Sequence, residues 1–436
     1  MPAPRPTSRR ELLALFGVAV LLRLAALWAI GSAHDAVGLT PWEWGHETAC
    51  VARTLADGEA YGDPWGKGTG PSAWLTPLFP AVVALALALG GGVGAAAATV
   101  LFGVQCLVSA ATACLVVRLG EALGTGRAAR LAGWVFAFYP LAVWHAVHTV
   151  WDTTFAAAAL TGFLLAFVRA GFRPTGRVAF LLGLAFGALV LLNPAPLALL
   201  PAIGIAWWNG AGLRAALLRG LALAGGAALV CAPWLARNRV VLDVVGLRSN
   251  LGVELHVGNN DLARGRHETA FHPSHDATEL ARYRELGEAR YTAWAGAEAR
   301  RWIEANPGPF AALCLRRALI FWLGELPTLD SRIAAGRRAA ADPNAWMKWV
   351  LHFATGAAAL ASLRMVRRQG PLGWFLVVGL ALYCVPYVLT HVSERYRFPL
   401  DPLLLLLGTW WGWRLFARRM RPHSRGSAGG PAHSTQ

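Results

Sequence analysis

The chain alternates long apolar runs with short basic ones. A helix needs about 20 apolar residues to cross a bilayer. Ten runs reach or approach that length, and together they predict an all-α polytopic membrane protein with a bundle of roughly ten transmembrane helices. The predicted spans are 12–30, 95–117, 131–147, 155–168, 178–192, 197–208, 215–235, 346–363, 372–389 and 400–416.

Two further apolar runs are predicted to lie along the membrane as interfacial helices. The run 75–89 begins L-T-P-L-F-P, and the run 310–323 carries Arg316 and Arg317 at its centre. A charge there would cost a few kcal/mol or more in lipid. With both runs left out of the spans, the basic clusters between helices fall on the side of the N-terminus, which the positive-inside rule makes the cytosolic side.

This topology divides the chain into four parts. Residues 1–235 form an N-terminal transmembrane module that includes the first outer loop, 31–94. Residues 236–345 form an extracytoplasmic region with an amphipathic helix over 277–305. Residues 346–418 hold the C-terminal spans, and 419–436 read as a disordered cytoplasmic tail.

Composition agrees with a membrane protein and argues against other classes. The chain is 56% hydrophobic and only 15% charged, with a net charge of +16. Because the basic residues sit between apolar spans, the charge indicates membrane topology and not nucleic-acid binding. The cysteines form no C-x-x-C pair, so neither a disulfide framework nor a cysteine zinc site is predicted.

The first outer loop carries the leading candidate for chemistry. It begins P-W-E-W-G-H-E, which sets Glu43 between two tryptophans at the membrane surface. A carboxylate there could act as general base on an acceptor hydroxyl or amine. The alternative is a solvated loop acid. Glu47 lies one helical turn further on and either shares the site or is solvated.

Asp152 is the second catalytic candidate. It ends the second outer turn, in V-W-D-T-T, and precedes a predicted helix. The alternative is that it caps that helix, whereas an acid at membrane depth is costly and usually functional. Together with His145 and His148, either acid could contribute to a divalent metal site, although no recognised ligand spacing supports one.

Basic and amide side chains on the outer side are candidates for holding a phosphate, which arginine binds in bidentate fashion. They come from R-N-R, from R-S-N, from R-Y-R between the last two spans, and from the glycine-rich W-G-K-G. The alternatives are headgroup contacts and, for the R-Y-R arginines, pairing with Glu394 or Asp401. The candidates are Lys67, Arg237, Asn238, Arg248, Asn250, Arg395 and Arg397.

Several segments, taken in order, resemble bacterial membrane glycosyltransferases of the family 39 type. These enzymes are similar to protein O-mannosyltransferases and to the aminoarabinose transferase of lipid A. The resemblance runs from about residue 12 to 416. Its motifs are W-E-W-G, T-G-P-S-A-W-L-T-P-L-F-P, V-W-D-T, N-P-A-P, P-W-L-A-R-N, R-S-N-L-G-V-E-L-H-V-G-N-N, E-L-A-R-Y-R-E-L-G-E and R-Y-R-F-P.

The resemblance implies a GT-C fold and transfer of a sugar from a polyprenyl-phosphate carrier to an acceptor, generally with inversion, on the outer face of a bacterial inner membrane. It assigns Glu43 as the base and Asp152 as the second-loop acid. Arg237, Arg248, Arg395 and Arg397 match basic positions suited to the lipid phosphate.

Metal use and the acceptor do not carry over, because Trp44 replaces the second acid of the mannosyltransferase pair. No cofactor beyond a possible divalent ion is implied. The alternative function is a transporter or flippase of lipid-linked sugars.

Overall fold

The computed structural model describes residues 5–30, 44–148, 150–329 and 342–420, and in these ranges the chain is helical, with no strand. A single antiparallel bridge joins Gly62 to Pro71 within the first loop. The sequence prediction of an all-α polytopic membrane protein is confirmed.

The N-terminal half is a bundle around one long helix, α4. Leu101, Phe102 and Val116 of α4 are buried, and the helix packs against α1, α3, α5, α6 and α7. The helices of this half are α1 (Arg9–Ile30), α2 (Glu47–Ala56), α3 (Leu78–Gly90), α4 (Ala95–Ala122), α5 (Arg127–Phe138), α6 (Pro140–Val147), α7 (Thr153–Ala170), α8 (Gly176–Leu192), α9 (Leu200–Ala211) and α10 (Leu213–Leu242).

The second half covers one end of the bundle and then returns to it. Short helices form the cover. The helices Pro343–Val366 and Asp401–Arg419 pack against each other, and Asp401–Arg419 also packs against α5. The helices of this half are α11 (Leu251–Gly258), α12 (Ala277–Leu286), α13 (Glu288–Ala305), α14 (Pro307–Leu323), α15 (Pro343–Val366), α16 (Pro371–Tyr383), α17 (Val385–Leu389), α18 (Glu394–Arg397) and α19 (Asp401–Arg419).

Six helical segments of the described chain are long and apolar enough to cross a membrane. They are α1, α4, α7, α10, α15 and the combined α16–α17, while α3 and α8 are apolar but shorter. The predicted span 131–147 is divided, because Pro140 has no amide proton to continue α5 and begins α6. The total of ten spans and the orientation stay predictions.

One local prediction between residues 236 and 345 was wrong. The amphipathic stretch 277–305 is two helices, because Gly287 adopts a positive φ of 73° between them. The segment after Arg248 forms helix α11. The predicted tail 421–436 lies outside the described residues.

Both arginines inside α14 bond to other groups of the protein. The Arg317 side chain is fully buried. Its guanidinium donates to Asn259 Oδ1 (3.0 Å), to the carbonyl of Val388 (3.1 Å) and to that of Gly258. Arg316 pairs with Glu325 at 2.6 Å. Arg317 therefore joins the end of α11 to the end of α17, which positions both beside the cavity described below.

Candidate active site

A cavity of about 470 Å³ lies beneath the short helices that cover the bundle, and because several charged side chains stand in its wall we call it the polar cavity. Its walls come from the first loop, the turns before α7 and after α8, α11, and the segment from α17 to α18. Among the sequence candidates, the structure brings together Glu47, Asp152, Arg248, Asn250 and Arg395. Glu43 lies outside the described residues.

Asp152 faces the cavity instead of capping its helix. Its carboxylate makes no capping hydrogen bond to α7. It accepts from Asn193 Nδ2 at 2.8 Å and lies 3.8 Å from Arg248 Nη2. Asn193 is itself oriented, because its Oδ1 accepts from the amide of Ala195 at 3.0 Å. The N-P-A-P break thus holds the carboxylate in place.

The two arginines of R-Y-R have different environments. The Arg397 guanidinium is fully buried, bonds Asp401 Oδ1 at 3.0 Å, and donates to the carbonyls of Trp322 and His352 at 2.8 Å. Arg395 lies over the Trp151 ring, 3.5 Å from its centroid, and forms no ion pair in the described part of the chain. The pairing alternative thus holds for Arg397, and Arg395 faces the cavity.

Two glutamates with altered acidity share the cavity. Burial raises the pKa of Glu47, and the charges of Arg395 and Arg248 partly offset that rise. Burial also raises the pKa of Glu254 to about 7, with a further contribution from Glu47 and opposition from Arg248. Arg248 retains a buried Nε with no hydrogen-bond partner among the described residues, so the cavity offers an anion at least one unused donor.

The structure places four other sequence candidates away from the cavity lining. Lys67 is exposed in its glycine-rich turn. Arg237 donates to the carbonyls of Ser72 (2.6 Å) and Tyr61 (2.5 Å). Asn238 donates to the carbonyl of Gly246 at 2.9 Å, and Arg397 was described above. Through these contacts Arg237 and Asn238 connect the end of α10 to the first loop and to the segment that follows α10.

Sequence reasoning did not select Glu254, His391 or Tyr396, which also line the cavity. Glu254 was inside a quoted motif, and its isolation among the apolar residues of α11 was the available signal. Gly258, at the end of α11, packs closely against the turn at Thr390. This close packing brings Glu254 near His391 and Tyr396. A Cβ at Gly258 would lie 1.9 Å from the Thr390 carbonyl oxygen.

The buried carboxylate of Glu288 in α13 bonds to groups of the first loop and to groups of the segments that cover the bundle. Glu288 is 3% exposed. It accepts from Ser72 Oγ, the Ala73 amide and Ser249 Oγ, each at 2.6 Å, and from Tyr283 Oη at 2.8 Å. Trp74 and Thr76 follow directly in the cavity wall.

We expect Glu288→Ala to lower the free energy of unfolding by about 3 to 5 kcal/mol, because it leaves four donors without a buried acceptor. Denaturant or thermal unfolding in detergent measures the loss. Glu285→Ala, which removes an exposed acid from α12, is the matched control. Equal stability of the two variants would contradict the role given to Glu288.

No metal ligand set is complete in the described part of the chain. No three histidine, cysteine, aspartate or glutamate side chains are grouped there as ligands of one ion. Asp152 could supply one carboxylate oxygen, and Glu43 lies outside the described residues.

An apolar groove, also of about 470 Å³, meets the polar cavity. Residues of α8, α9 and α10 line it, among them Phe186, Ile203 and Leu223. Leu197 and Leu247 line both the groove and the cavity. A single ligand with an apolar tail and a charged head could occupy the two together.

Comparison with solved structures identifies the fold. The chain resembles crystal structures of the oligosaccharyltransferase of Archaeoglobus fulgidus: with zinc and sulfate (TM-score 0.52, 14% identity, covering 94% of this chain and 49% of that one) and tethered with an acceptor peptide containing the NVT sequon (0.51, 13%, 94% and 50%). The apo form gives a TM-score of 0.51 at 15% identity.

The chain has the GT-C fold. It spans about half the length of the structures it matches. No protein-family model and no curated protein matches it. The fold predicted by the resemblance is confirmed, and the family 39 assignment stays a prediction.

Proposed function

We propose that the protein is a membrane glycosyltransferase that moves a sugar from a polyprenyl-phosphate carrier to an acceptor on the outer face of the membrane. The observation that carries this proposal is the meeting of the apolar groove with the polar cavity at Leu197 and Leu247. A polyprenyl-phosphate sugar has the same division into a long apolar chain, a phosphate and a polar head.

The donor would enter sideways from the membrane. Leu197 is 41% exposed and Leu251 is 62% exposed at the cavity wall, so apolar side chains there are accessible to a lipid chain. The polyprenyl chain would lie along α8, α9 and α10. The phosphate would then meet Arg248 and Arg395, while the sugar would reach the acids Asp152 and Glu47.

The proposed reaction is a direct displacement with inversion at the anomeric carbon. Glu43 takes a proton from the acceptor as the acceptor attacks. The bond from the anomeric carbon to the phosphate oxygen breaks, and the arginines stabilise the charge that develops on that oxygen. Asp152 is held by Asn193 where it can orient the sugar or the acceptor. The fold neighbours are oligosaccharyltransferases, which supports sugar transfer as the class of reaction.

The test is transfer from radiolabelled polyprenyl-phosphate sugars in membranes that contain the protein. Wild type should discharge the donor, and Gly220→Leu should raise KM for a long-chain donor by about tenfold. Gly220 lines the groove and has open space at its Cβ position. A leucine there therefore fills the groove without a clash and should affect a short-chain donor much less.

The control is Gly225→Leu, on the same helix. Gly225 also has open space at its Cβ position, is exposed, and is not in the groove lining. Equal KM changes in the two variants, or equal effects on long-chain and short-chain donors, would reject this placement of the chain. Absence of donor discharge by wild type with any carrier would reject the proposed function.

A further inference from the structure

Three side chains of the cavity wall lie in a row, and each of them can carry a proton. His391 lies between Glu254 of α11 and Tyr396 of α18. Its Nε2 is 2.9 Å from Tyr396 Oη, and its Nδ1 is 3.5 Å from Glu254 Oε2. All three groups line the cavity. The imidazole therefore connects two different points of the same site.

The central imidazole is held in a fixed place. His391 is 1% exposed. Its Nδ1 has no hydrogen-bond partner among the described residues, and the carboxylate oxygen Glu254 Oε2 lies 3.5 Å from it. The separation of 3.5 Å is longer than a hydrogen bond, as is common before substrate closes a site. Tyr396 is fixed by stacking on Tyr387 at 4.7 Å.

The two ends of the chain have different neighbours. Tyr396 lies beside Arg395, whose guanidinium carbon is 5.3 Å from the phenol ring centroid. Glu254 accepts from Asn250 Nδ2 at 2.7 Å. The proposed function puts the phosphate at Arg395, so the phenol beside that arginine is in a position to donate a proton to the leaving group.

We propose that Glu254, His391 and Tyr396 form a proton relay that protonates the leaving phosphate during sugar transfer. The proposal rests on the proposed function. It assigns Tyr396 as the group that touches the phosphate, Glu254 as the proton source, and His391 as the bridge between them.

The proton balance is complete within the relay. As the bond between the anomeric carbon and the phosphate oxygen breaks, the Tyr396 hydroxyl proton moves to that oxygen. Tyr396 takes a proton from His391 Nε2, and His391 Nδ1 takes one from Glu254 Oε2. Glu254 is left as a carboxylate and His391 as its other neutral tautomer. The relay resets after product release by the reverse movement: a proton from solvent enters at Tyr396, Tyr396 passes its own proton to His391 Nε2, and His391 returns the Nδ1 proton to Glu254. Solvent thus supplies one proton per turnover and takes up the one released by the acceptor, which restores the starting tautomer of His391.

The acidities of the end groups match the transfer. The Glu254 pKa of about 7 is close to the second pKa of a phosphate monoester, about 6, so the proton moves with little change in free energy. Burial lowers the pKa of His391 well below its usual value, which keeps the bridge neutral. Charged and titratable groups facing the relay are Arg248, Glu47, Arg395, Arg317, His267 and His272.

The first test is kinetic. Tyr396→Phe keeps the stacked ring and removes the hydroxyl, so we expect kcat to fall about ten- to a hundredfold with the donor KM unchanged. Because Glu254 must be protonated to act, wild-type kcat should fall as pH rises through about 7. Glu254→Gln and Tyr396→Phe should lose that dependence. A Tyr396→Phe enzyme that keeps both the wild-type rate and the pH dependence would overturn the relay.

The second test needs no substrate. In pH-difference infrared spectra of wild type in lipid nanodiscs, a protonated-carboxyl band should disappear as pH rises through about 7. Glu254→Gln should remove this band, and His391→Asn should shift its midpoint. Absence of the band in wild type would overturn the relay whatever the enzyme transfers. A wild-type band without any sugar transfer would overturn the proposed function, and the relay's role with it.

Discussion

Replacing Glu43 by glutamine should lower sugar transfer by about 100- to 10,000-fold while donor binding stays close to wild type. An amide of the same shape cannot accept the acceptor's proton, and general-base catalysis typically contributes a factor of this size. Glu43 is the acid that the family resemblance assigns as base. It precedes by four residues Glu47, whose carboxylate lines the cavity. Donor discharge and donor binding are measured on the same membranes.

The same substitution separates the proposed enzyme from a flippase of lipid-linked sugars, which would scarcely be affected by it. Glu59→Gln is the control, because Glu59 is an exposed acid of the same loop. If Glu43→Gln transfers sugar at the wild-type rate, Glu43 is not the base. Asp152→Asn then becomes the deciding variant, because Asp152 is the other acid to which the resemblance gives a catalytic place.

Replacing Arg395 by glutamine should lower kcat by about 100- to 1,000-fold, because one preorganised charge at a developing anion is worth about that much. Of the two R-Y-R arginines, Arg395 has no ion pair in the described chain, and its guanidinium lies over the Trp151 ring. Arg395→Lys should recover only part of the rate, since an ammonium lacks the planar fork that binds two phosphate oxygens. Steady-state kinetics with a saturating donor measure both variants.

The control is Arg301→Gln on α13. Arg301 also belongs to the outer region, but its side chain is 67% exposed and pairs with Glu298, so its loss should leave turnover unchanged. A matching loss in both variants would indicate a general charge effect and not a phosphate contact. Unchanged kcat in Arg395→Gln would contradict the placement of the phosphate at this end of the cavity.

The sequence alone determined the class of molecule, because the length of an apolar run is a local property that decides whether a helix suits a bilayer. It also selected five residues that the structure brings to one cavity. Asp152 and Arg395 were selected for a common reason. A charged side chain next to an apolar span cannot enter the lipid without a large free-energy cost. Its position in the sequence therefore indicates a candidate site.

Only the tertiary structure decided what each charge contacts. Arg395 and Arg397 are two residues apart and alike in sequence, yet Asp401 and two backbone carbonyls occupy Arg397, while Arg395 faces the cavity. Glu254 and His391 are separated by more than 130 residues and meet because Gly258 lets α11 approach the 390 turn. Contacts of this kind depend on how the helices pack. No single segment of the chain specifies that packing.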